Sequence, residues 1–227
     1  MKYFRTLWNK LKASLGSGVL DKLLIVDSEF CMNEIVEKSL GRAKSTIEKA
    51  HKRFCEQENN NFIELNSNYF HKDYCKECDI TTCKEHSNIF QKLKNIKKPV
   101  LYWFELESSD RNVAIREKYE CYVRGIKGKY TDPNYRNTAS FKKSFSNEST
   151  TLYVGKVQTY FWGRLVTHLG YSLSEKTASM QLFHWYNTTK FGNLKVKYIV
   201  FDNDMKYLIA ALEKELALEL KPLIGRY

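Results

Sequence analysis

The sequence predicts an α+β protein in which a small mixed or antiparallel sheet is flanked by helices and follows a mostly helical N-terminal region. Three short apolar runs in the C-terminal part contain many β-branched and aromatic residues, which is typical of strands. Helical periodicity separates or follows these runs. A long helical pattern lies upstream of them, and it makes the N-terminal region mostly helical.

Two helical patterns occur before the predicted sheet. Residues 2–15 place Phe4, Leu7, Trp8, Leu11 and Leu15 on one stripe, flanked by basic residues. Such a helix can lie on a membrane surface or pack on protein, and we favour packing on protein. The second pattern runs from about Asn33 to Glu58.

A lysine-rich stretch that ends at Pro99 predicts a linker between two domains. We therefore expect an N-terminal domain at 1–98 and a C-terminal domain at 99–227. The C-terminal domain alternates between the two kinds of element. We predict strands at 100–106, 151–157 and 194–201, helices at about 161–169, 175–186 and 204–220, and a basic insertion at 107–150.

The charge balance points to a polyanionic partner. The chain has 227 residues and a net charge of +11, with 37 Lys and Arg against 26 Asp and Glu. Both predicted domains are basic, so the excess is not confined to a tail. A surplus of this kind favours nucleic acid, and solubility alone is the simpler alternative.

The sequence also indicates a compartment. It contains no run of 18 apolar residues, and its first residues lack the apolar core of a signal peptide. The six cysteines do not form the dense pattern of a disulfide scaffold. We therefore expect a reducing, cytoplasmic setting and no membrane partner.

A cluster of chemistry-bearing residues follows the second predicted strand. Tyr153 and Gly155 lie in this strand, Arg164 follows Tyr153 after eleven residues, and His168 follows Arg164 after four. Residues four apart share one face of a helix. A cation and an imidazole can therefore point together at a tyrosine on a neighbouring strand, an arrangement that suits phosphodiester chemistry.

These residues resemble the second half of the motif of GIY-YIG nucleases. Tyr102, in the run Pro99 to Leu106, stands where that family has its first tyrosine. Glu213, nine residues before Pro222, is similar to the glutamate of the family's last helix. The resemblance covers about residues 99–227. It implies a GIY-YIG-like fold, a catalytic set of Tyr102, Tyr153, Arg164, His168 and Glu213, and Mg²⁺ or Mn²⁺ held by Glu213.

Helical periodicity supports a special position for Glu213. At 100° per residue, Ile209, Leu216, Ala217 and Leu220 fall on its side of the last helix, whereas Glu215 and Glu219 fall on the far side. A carboxylate on an apolar stripe is costly unless it is paired or binds a cation. One glutamate suffices for Mg²⁺, which keeps water and phosphate oxygens as ligands. A buried hydrogen bond or a salt bridge to Lys206 is the alternative.

Each of the other residues has a chemical role in this hypothesis. Arg164 grips the scissile phosphate, Tyr153 activates water or accepts its proton, and His168 relays a proton. Tyr102 frames the site, and Lys156 contacts a phosphate. The structural alternatives are a surface arginine, a strand tyrosine that faces the core and a histidine whose hydrogen bonds are satisfied in the core.

The basic insertion predicts a nucleic-acid-binding surface. Its cations are interleaved with Tyr130, Tyr135 and Phe141, and cations with flat rings suit phosphates and bases. A solvated loop is the alternative. The predicted contacts are Arg124, Lys127, Lys129, Arg136, Lys142 and Lys143, together with Lys156.

Residues 71–86 predict a second metal site. Cys75, Cys78, Cys83 and His86 provide four soft ligands within twelve residues, which could enclose a structural, tetrahedral Zn²⁺. His71 could take the place of His86. Reduced thiols in a small core are the alternative.

Taken together, these patterns predict a metal-dependent endonuclease that hydrolyses DNA phosphodiester bonds, with a restriction-like or defence role as one expectation. RNA is an open alternative substrate, and a homo-oligomer is compatible with the sequence. A catalytically silent nucleic-acid-binding protein that uses the basic insertion and the zinc cluster is the alternative function.

Overall fold

The computed structural model describes residues 30–57, 60–71, 74, 79–129, 135–141, 144–172 and 177–226. The predicted helix at 2–15 lies outside them. Helix α1 spans Phe30–Gln57 and matches the long helical pattern of the sequence. The chain divides into two compact units between Glu56 and Gln57, and nearly all of α1 belongs to the first.

The second unit is built on a four-stranded antiparallel sheet. Its strands are β1 (Phe62–Leu65), β2 (Val100–Leu106), β3 (Thr151–Val157) and β4 (Leu194–Val200), in the order β1-β4-β2-β3. The last three agree with the predicted strands. Because β1 pairs with β4, the predicted boundary at 98/99 falls inside this unit rather than between two domains.

Strand β2 occupies the centre of the sheet because it is apolar on both faces. It pairs with β3 on one side and with β4 on the other, and six of its seven residues are buried. Tyr102 stands opposite Gly155 of β3 and opposite Tyr198 of β4. This register fixes which side chains meet at the β2–β3 pair.

Five helices accompany the sheet in the described part of the second unit, and two of them carry site residues. Helix α4 follows β3 directly, and α6 contacts β3 and β2. The helices are α2 (Ser87–Lys94), α3 (Asn112–Ile126), α4 (Phe161–Leu169), α5 (Thr188–Phe191) and α6 (Leu208–Leu220).

Much of the basic insertion packs against the rest of the unit. Its helix α3 buries Ile115, Arg116 and Tyr119. The Arg116 guanidinium pairs with Glu120 at 3.1 Å and lies 4.2 Å from the centre of the Phe141 ring. Arg116, a basic residue of the insertion, therefore packs inside the fold. Only some of the positive charge of the insertion faces solvent.

The helix predicted at about 175–186 is wrong for the described residues 177–186. Ser179 forms an isolated bridge with Thr138, and only Leu182–His184 forms a short 3-10 turn. Gln181 has a φ of 56°, which an α-helix does not allow. The last helix begins at Leu208 rather than near 204, because a 3-10 turn at Asn203–Met205 precedes it.

The described helices include none with the length and apolar character that crossing a membrane requires.

Candidate active site

Two tyrosines meet on one face of the β2–β3 pair. Successive strand residues point to opposite faces, so Tyr153 and Gly155 share a face, and Tyr102 shares it as the partner of Gly155. A Cβ atom at Gly155 would lie 2.5 Å from Tyr102 Oη and 2.6 Å from Tyr153 Cε1. Because Gly155 has no side chain, both tyrosines can occupy this space.

Helix α4 places a cation and an imidazole against these tyrosines. It buries Phe161 and Leu165, and one further turn brings in His168. The Arg164 Nε–H donates to Tyr102 Oη at 3.0 Å, and Arg164 Nη2 donates to Tyr153 Oη at 3.4 Å. His168 Nε2 lies 2.9 Å from Tyr102 Oη. The four predicted residues form one hydrogen-bonded cluster.

One nitrogen of the Arg164 guanidinium is left over. Nε and Nη2 are held by the tyrosines, whereas Nη1 is buried and has no hydrogen-bond partner among the described residues. Leaving a buried charged donor unsatisfied is unfavourable by about 1–3 kcal/mol or more. A phosphate oxygen is a natural acceptor for a guanidinium and would remove this penalty, although a neighbouring side chain has to move before an anion can reach the buried Nη1.

The ring of His168 is buried and neutral. Its Nδ1 accepts from the Met180 backbone N–H at 3.4 Å, so we assign the proton to Nε2, which donates to Tyr102 Oη. Burial, with a smaller contribution from the Arg164 charge, lowers the pKa of His168 well below 6.5. His168 therefore orients Tyr102, and it is poorly placed to exchange protons with a substrate.

Tyr102 is also a supporting residue. It is only 1% exposed, and its oxygen receives hydrogen bonds from both Arg164 and His168. Burial and the nearby Tyr153 raise the pKa of Tyr102, and the Arg164 charge only partly offsets them. Tyr102 stays protonated and fixes the position of the guanidinium.

A carboxylate and an ammonium lie beside this cluster. Glu213 of α6 pairs with Lys156 of β3, with Oε2 and Nζ 3.4 Å apart. Burial raises the pKa of Glu213 above its ordinary value, while Lys156 and, more weakly, Arg164 lower it. Glu213 in turn contributes to the raised pKa of Tyr102. The Glu213 carboxylate thus lies within electrostatic reach of both Arg164 and Tyr102.

The residues divide into a buried support and an accessible group. Tyr102 and His168 are buried, whereas Tyr153, Arg164 and Glu213 are partly exposed, as is Lys156. The accessible group offers a phenol, a guanidinium, an ammonium and a carboxylate. These groups can hold an anion and place a carboxylate and a proton acceptor beside it.

A divalent cation would find one protein ligand here. Glu213 is the carboxylate of the cluster, and the described residues contain no group of three His, Cys, Asp or Glu that could hold a metal ion by themselves. Mg²⁺ fits such a site, because it retains waters and takes phosphate oxygens as ligands. Binding through Glu213 requires Lys156 to turn toward another anion, and a substrate phosphate would provide one.

The predicted nucleic-acid contacts of the insertion lie in different settings. Arg124 is exposed and pairs with Glu120 at 2.9 Å, and Lys127 and Lys129 are exposed. The Arg136 Nε–H donates to the Ser172 carbonyl at 3.0 Å, so its guanidinium braces the fold. Lys142 and Lys143 lie outside the described residues.

Half of the predicted zinc site can be described. His86 is buried, stacks on Tyr69 with ring centres 4.0 Å apart, and places Nε2 3.2 Å from the Asn68 carbonyl. The Cys83 thiol donates to the Ile80 carbonyl at 3.3 Å. Cys75 and Cys78 lie outside the described residues, and structural zinc stays a prediction.

Comparison of the chain with protein-family models, with curated proteins and with solved structures gave no match.

Sequence reasoning missed three residues around the cluster. The Met180 N–H sets the protonation of His168, and a backbone donor has no signal in the sequence. Tyr160 and Tyr207 are exposed aromatics immediately before α4 and α6, the two helices that carry the site. Tyr160 directly precedes the helix predicted at about 161–169, which was a visible signal, whereas Tyr207 falls inside the helix predicted at about 204–220 and gave none.

Proposed function

We propose that this protein is a metal-dependent endonuclease that hydrolyses phosphodiester bonds of DNA at the cluster of Tyr153, Arg164 and Glu213. The observation that carries the proposal is the Arg164 guanidinium, which is clamped by two tyrosines while its Nη1 has no partner among the described residues. A fixed cation with a spare donor is suited to one phosphate oxygen. The net charge of +11 favours the same polyanionic substrate.

The resemblance to GIY-YIG nucleases supports the proposal independently. The tyrosines, the arginine and the glutamate follow the order of that family's motif along the chain, and they lie within hydrogen-bond or electrostatic reach of one another. Two antiparallel strands carry the tyrosines, and the helix after the second strand carries the arginine. As part of the proposal, we infer that residues 99–227 belong to the GIY-YIG nuclease family.

In the proposed reaction, a water oxygen attacks phosphorus while Arg164 binds a non-bridging oxygen. The ionised Tyr153 oxygen takes the proton from the water, and the positive Arg164, 3.4 Å away, favours that ionised form. The bond from phosphorus to the leaving oxygen breaks, and that oxygen takes a solvent proton. The negative charge that grows on the phosphate meets Arg164 and Lys156.

Glu213 would hold Mg²⁺ or Mn²⁺. The ion, when bound, supplies Lewis-acid stabilisation of the phosphate oxygens. Tyr102 and His168 contribute by holding Arg164 in place rather than by moving protons, because both are buried and His168 is neutral.

The experiment is a cleavage assay on supercoiled plasmid and on labelled linear DNA and RNA, with Mg²⁺, with Mn²⁺ and with a chelator. We expect metal-dependent nicking by the wild-type protein and a loss of at least about 100-fold in Glu213→Gln and Arg164→Ala. The matched control is Glu215→Gln on the same helix. Equal cleavage by the wild type and both site variants would overturn the proposal.

A silent nucleic-acid-binding protein is the second candidate. The Glu213–Lys156 pair favours it, because the carboxylate already has a cationic partner. In that case the protein would cleave none of the substrates with either metal, while it would still bind DNA in a salt-dependent way.

A further inference from the structure

Two exposed tyrosines lie beside the cluster, each directly before a helix that carries a site residue. Tyr160 is 58% exposed and precedes α4, and Tyr207 is 82% exposed and precedes α6. The Tyr160 carbonyl accepts the Arg164 backbone N–H at 3.2 Å. Along α6, Glu213 lies six residues after Tyr207, or about 9 Å along the helix axis.

The chain segments that carry the two tyrosines are joined to each other. The Gln158 side-chain amide donates to the Lys206 carbonyl at 3.0 Å, which joins the end of β3 to the segment before α6. Each tyrosine lies within two residues of this hydrogen bond. The same end of β3 carries Lys156, which pairs with Glu213. Both tyrosine-bearing segments therefore adjoin the end of β3 that carries Lys156.

Each ring also has a cation beside it. The Lys97 ammonium lies 5.0 Å from the centre of the Tyr160 ring, and the Lys206 ammonium lies 4.7 Å from the centre of the Tyr207 ring. Both distances are within the range of a cation–π contact. Flat rings paired with lysines combine a stacking surface for a base with a charge for the adjoining phosphate.

The backbone of Tyr160 is unusual. Its φ of 58° and ψ of 49° are left-handed, a conformation that favours Gly or Asn and that is unfavourable by about 1–2 kcal/mol for other residues. The chain nevertheless has a large exposed aromatic residue here. Strained residues collect at functional sites, where the side chain has a use that outweighs the strain.

We propose that Tyr160 and Tyr207 form a stacking platform for unpaired bases of the nucleic-acid strand that leads to the scissile phosphate. The proposal rests on the proposed function for the position of that phosphate. Lys97 and Lys206 hold backbone phosphates of the same nucleotides. The preferred substrate therefore has single-stranded or frayed character next to the cleaved bond.

Binding rather than cleavage tests the proposal, so that its failure is separate from failure of the nuclease assignment. The parent protein is the Glu213→Gln variant. The probes are a labelled 12-nucleotide single strand, made once as DNA and once as RNA, and a labelled blunt duplex. Binding of each probe is measured by fluorescence anisotropy at several salt concentrations. Tyr160→Asn removes the ring and keeps a residue that tolerates the left-handed conformation. Tyr207→Ala removes the second ring.

We expect each of these substitutions to weaken binding of at least one single-strand probe about fivefold or more, because a base stacked on an aromatic ring loses its platform. The slope of log K against log salt should stay constant. Tyr160→Phe and Tyr207→Phe should bind like the parent. Lys97→Met and Lys206→Met should each reduce the salt slope by about 0.7. The blunt duplex should be insensitive to loss of either ring.

Phe62 provides a matched control. It is 47% exposed and lies under Lys195, with 4.8 Å from the ammonium to the ring centre, but it belongs to β1 at the opposite edge of the sheet from β3. Phe62→Leu should leave binding unchanged. The proposal is overturned if Tyr160→Asn and Tyr207→Ala bind both single strands like the parent, or if Phe62→Leu weakens binding as much as they do. Equal losses on the blunt duplex would also overturn it.

Discussion

Tyr102 and Gly155 face each other across the β2–β3 pair, and the hydroxyl of Tyr102 occupies the place of the absent Gly155 side chain. This close approach lets the Tyr102 oxygen reach both Arg164 and His168. The glycine thus serves the site by its lack of a side chain, since its backbone is ordinary extended strand.

We predict that Gly155→Ala destabilises the protein by about 1–3 kcal/mol, because the added methyl group would lie within 2.6 Å of both tyrosines. Cleavage should also fall as Arg164 loses its anchors. Chemical denaturation measures the first effect and the plasmid assay the second. The control is Gly163→Ala in α4, where nothing lies within 4 Å of the new Cβ and a gain of about 0.5–1 kcal/mol is expected. Unchanged stability in Gly155→Ala would contradict the close contact.

We predict that Arg164→Lys lowers the cleavage rate about 100-fold or more although the positive charge remains. A lysine cannot bridge the two tyrosine oxygens and also offer a third donor in a fixed direction. Single-turnover kinetics should place the loss in the chemical step rather than in substrate binding. Arg42→Lys, at an exposed position of α1 where the guanidinium donates to Ser39 Oγ, is the control and should cleave like the wild type. A rate within threefold of wild type in Arg164→Lys would show that only charge matters at this position.

We predict that Lys156→Met shifts the acidic limb of the pH–rate profile to higher pH. Lys156 lowers the pKa of Glu213, so its removal raises that pKa further and the ionised carboxylate appears only at higher pH. The measurement is kcat/KM against pH at one Mg²⁺ concentration below saturation, where protons compete with the ion for the Glu213 carboxylate. Lys197→Met is the control, since Lys197 pairs with Glu105 instead. A limb that stays in place would mean that a group other than Glu213 titrates there.

We predict that the protein loses stability below about pH 6.5 in part through His168. Its folded pKa lies below the unfolded value, so its stabilising contribution is complete above pH 6.5 and is lost as the pH falls toward the folded pKa. The loss has an upper limit of about 1.4 kcal/mol per pH unit. Denaturation of wild type and His168→Gln at pH 7.5 and 5.5 measures it.

The His168→Gln variant should show the smaller drop between these two pH values, whatever its stability at pH 7.5. Burial also lowers the pKa of His184. This residue is present in both proteins and contributes equally to both slopes. Identical slopes would mean that folding does not lower the pKa of His168.

Local pattern predicted the elements that carry the site. The β-branched and aromatic runs around Tyr102 and Tyr153 are long and apolar, so their periodicity identified both strands. The spacing of Arg164 and His168 identified one face of α4. The apolar stripe that includes Glu213 identified a helix whose carboxylate needs a partner, and Lys156 is that partner in the structure.

Tertiary contacts determined what the sequence left open. Strand β1 has only four residues, and its pairing with β4, distant in the chain, makes it a strand. Apolar residues at 180–186 suggested a helix, but the bridge at Ser179 and the left-handed Gln181 override that preference. His168 is buried and forms hydrogen bonds with Met180 and Tyr102, and spacing alone could not distinguish such a support from a proton carrier.

None of the strand pairs in the described sheet joins neighbours through a tight turn, and this has a kinetic consequence. Strand β2 needs β3 and β4 on its two sides, and the end of β4 is synthesised about 90 residues after β2. At ribosomal rates of roughly 5–20 residues per second, one edge of this apolar strand waits about 5–20 s for its second partner. During that interval the backbone N–H and C=O groups along one edge of β2 have no strand partner, and an unpaired apolar edge can pair with another chain.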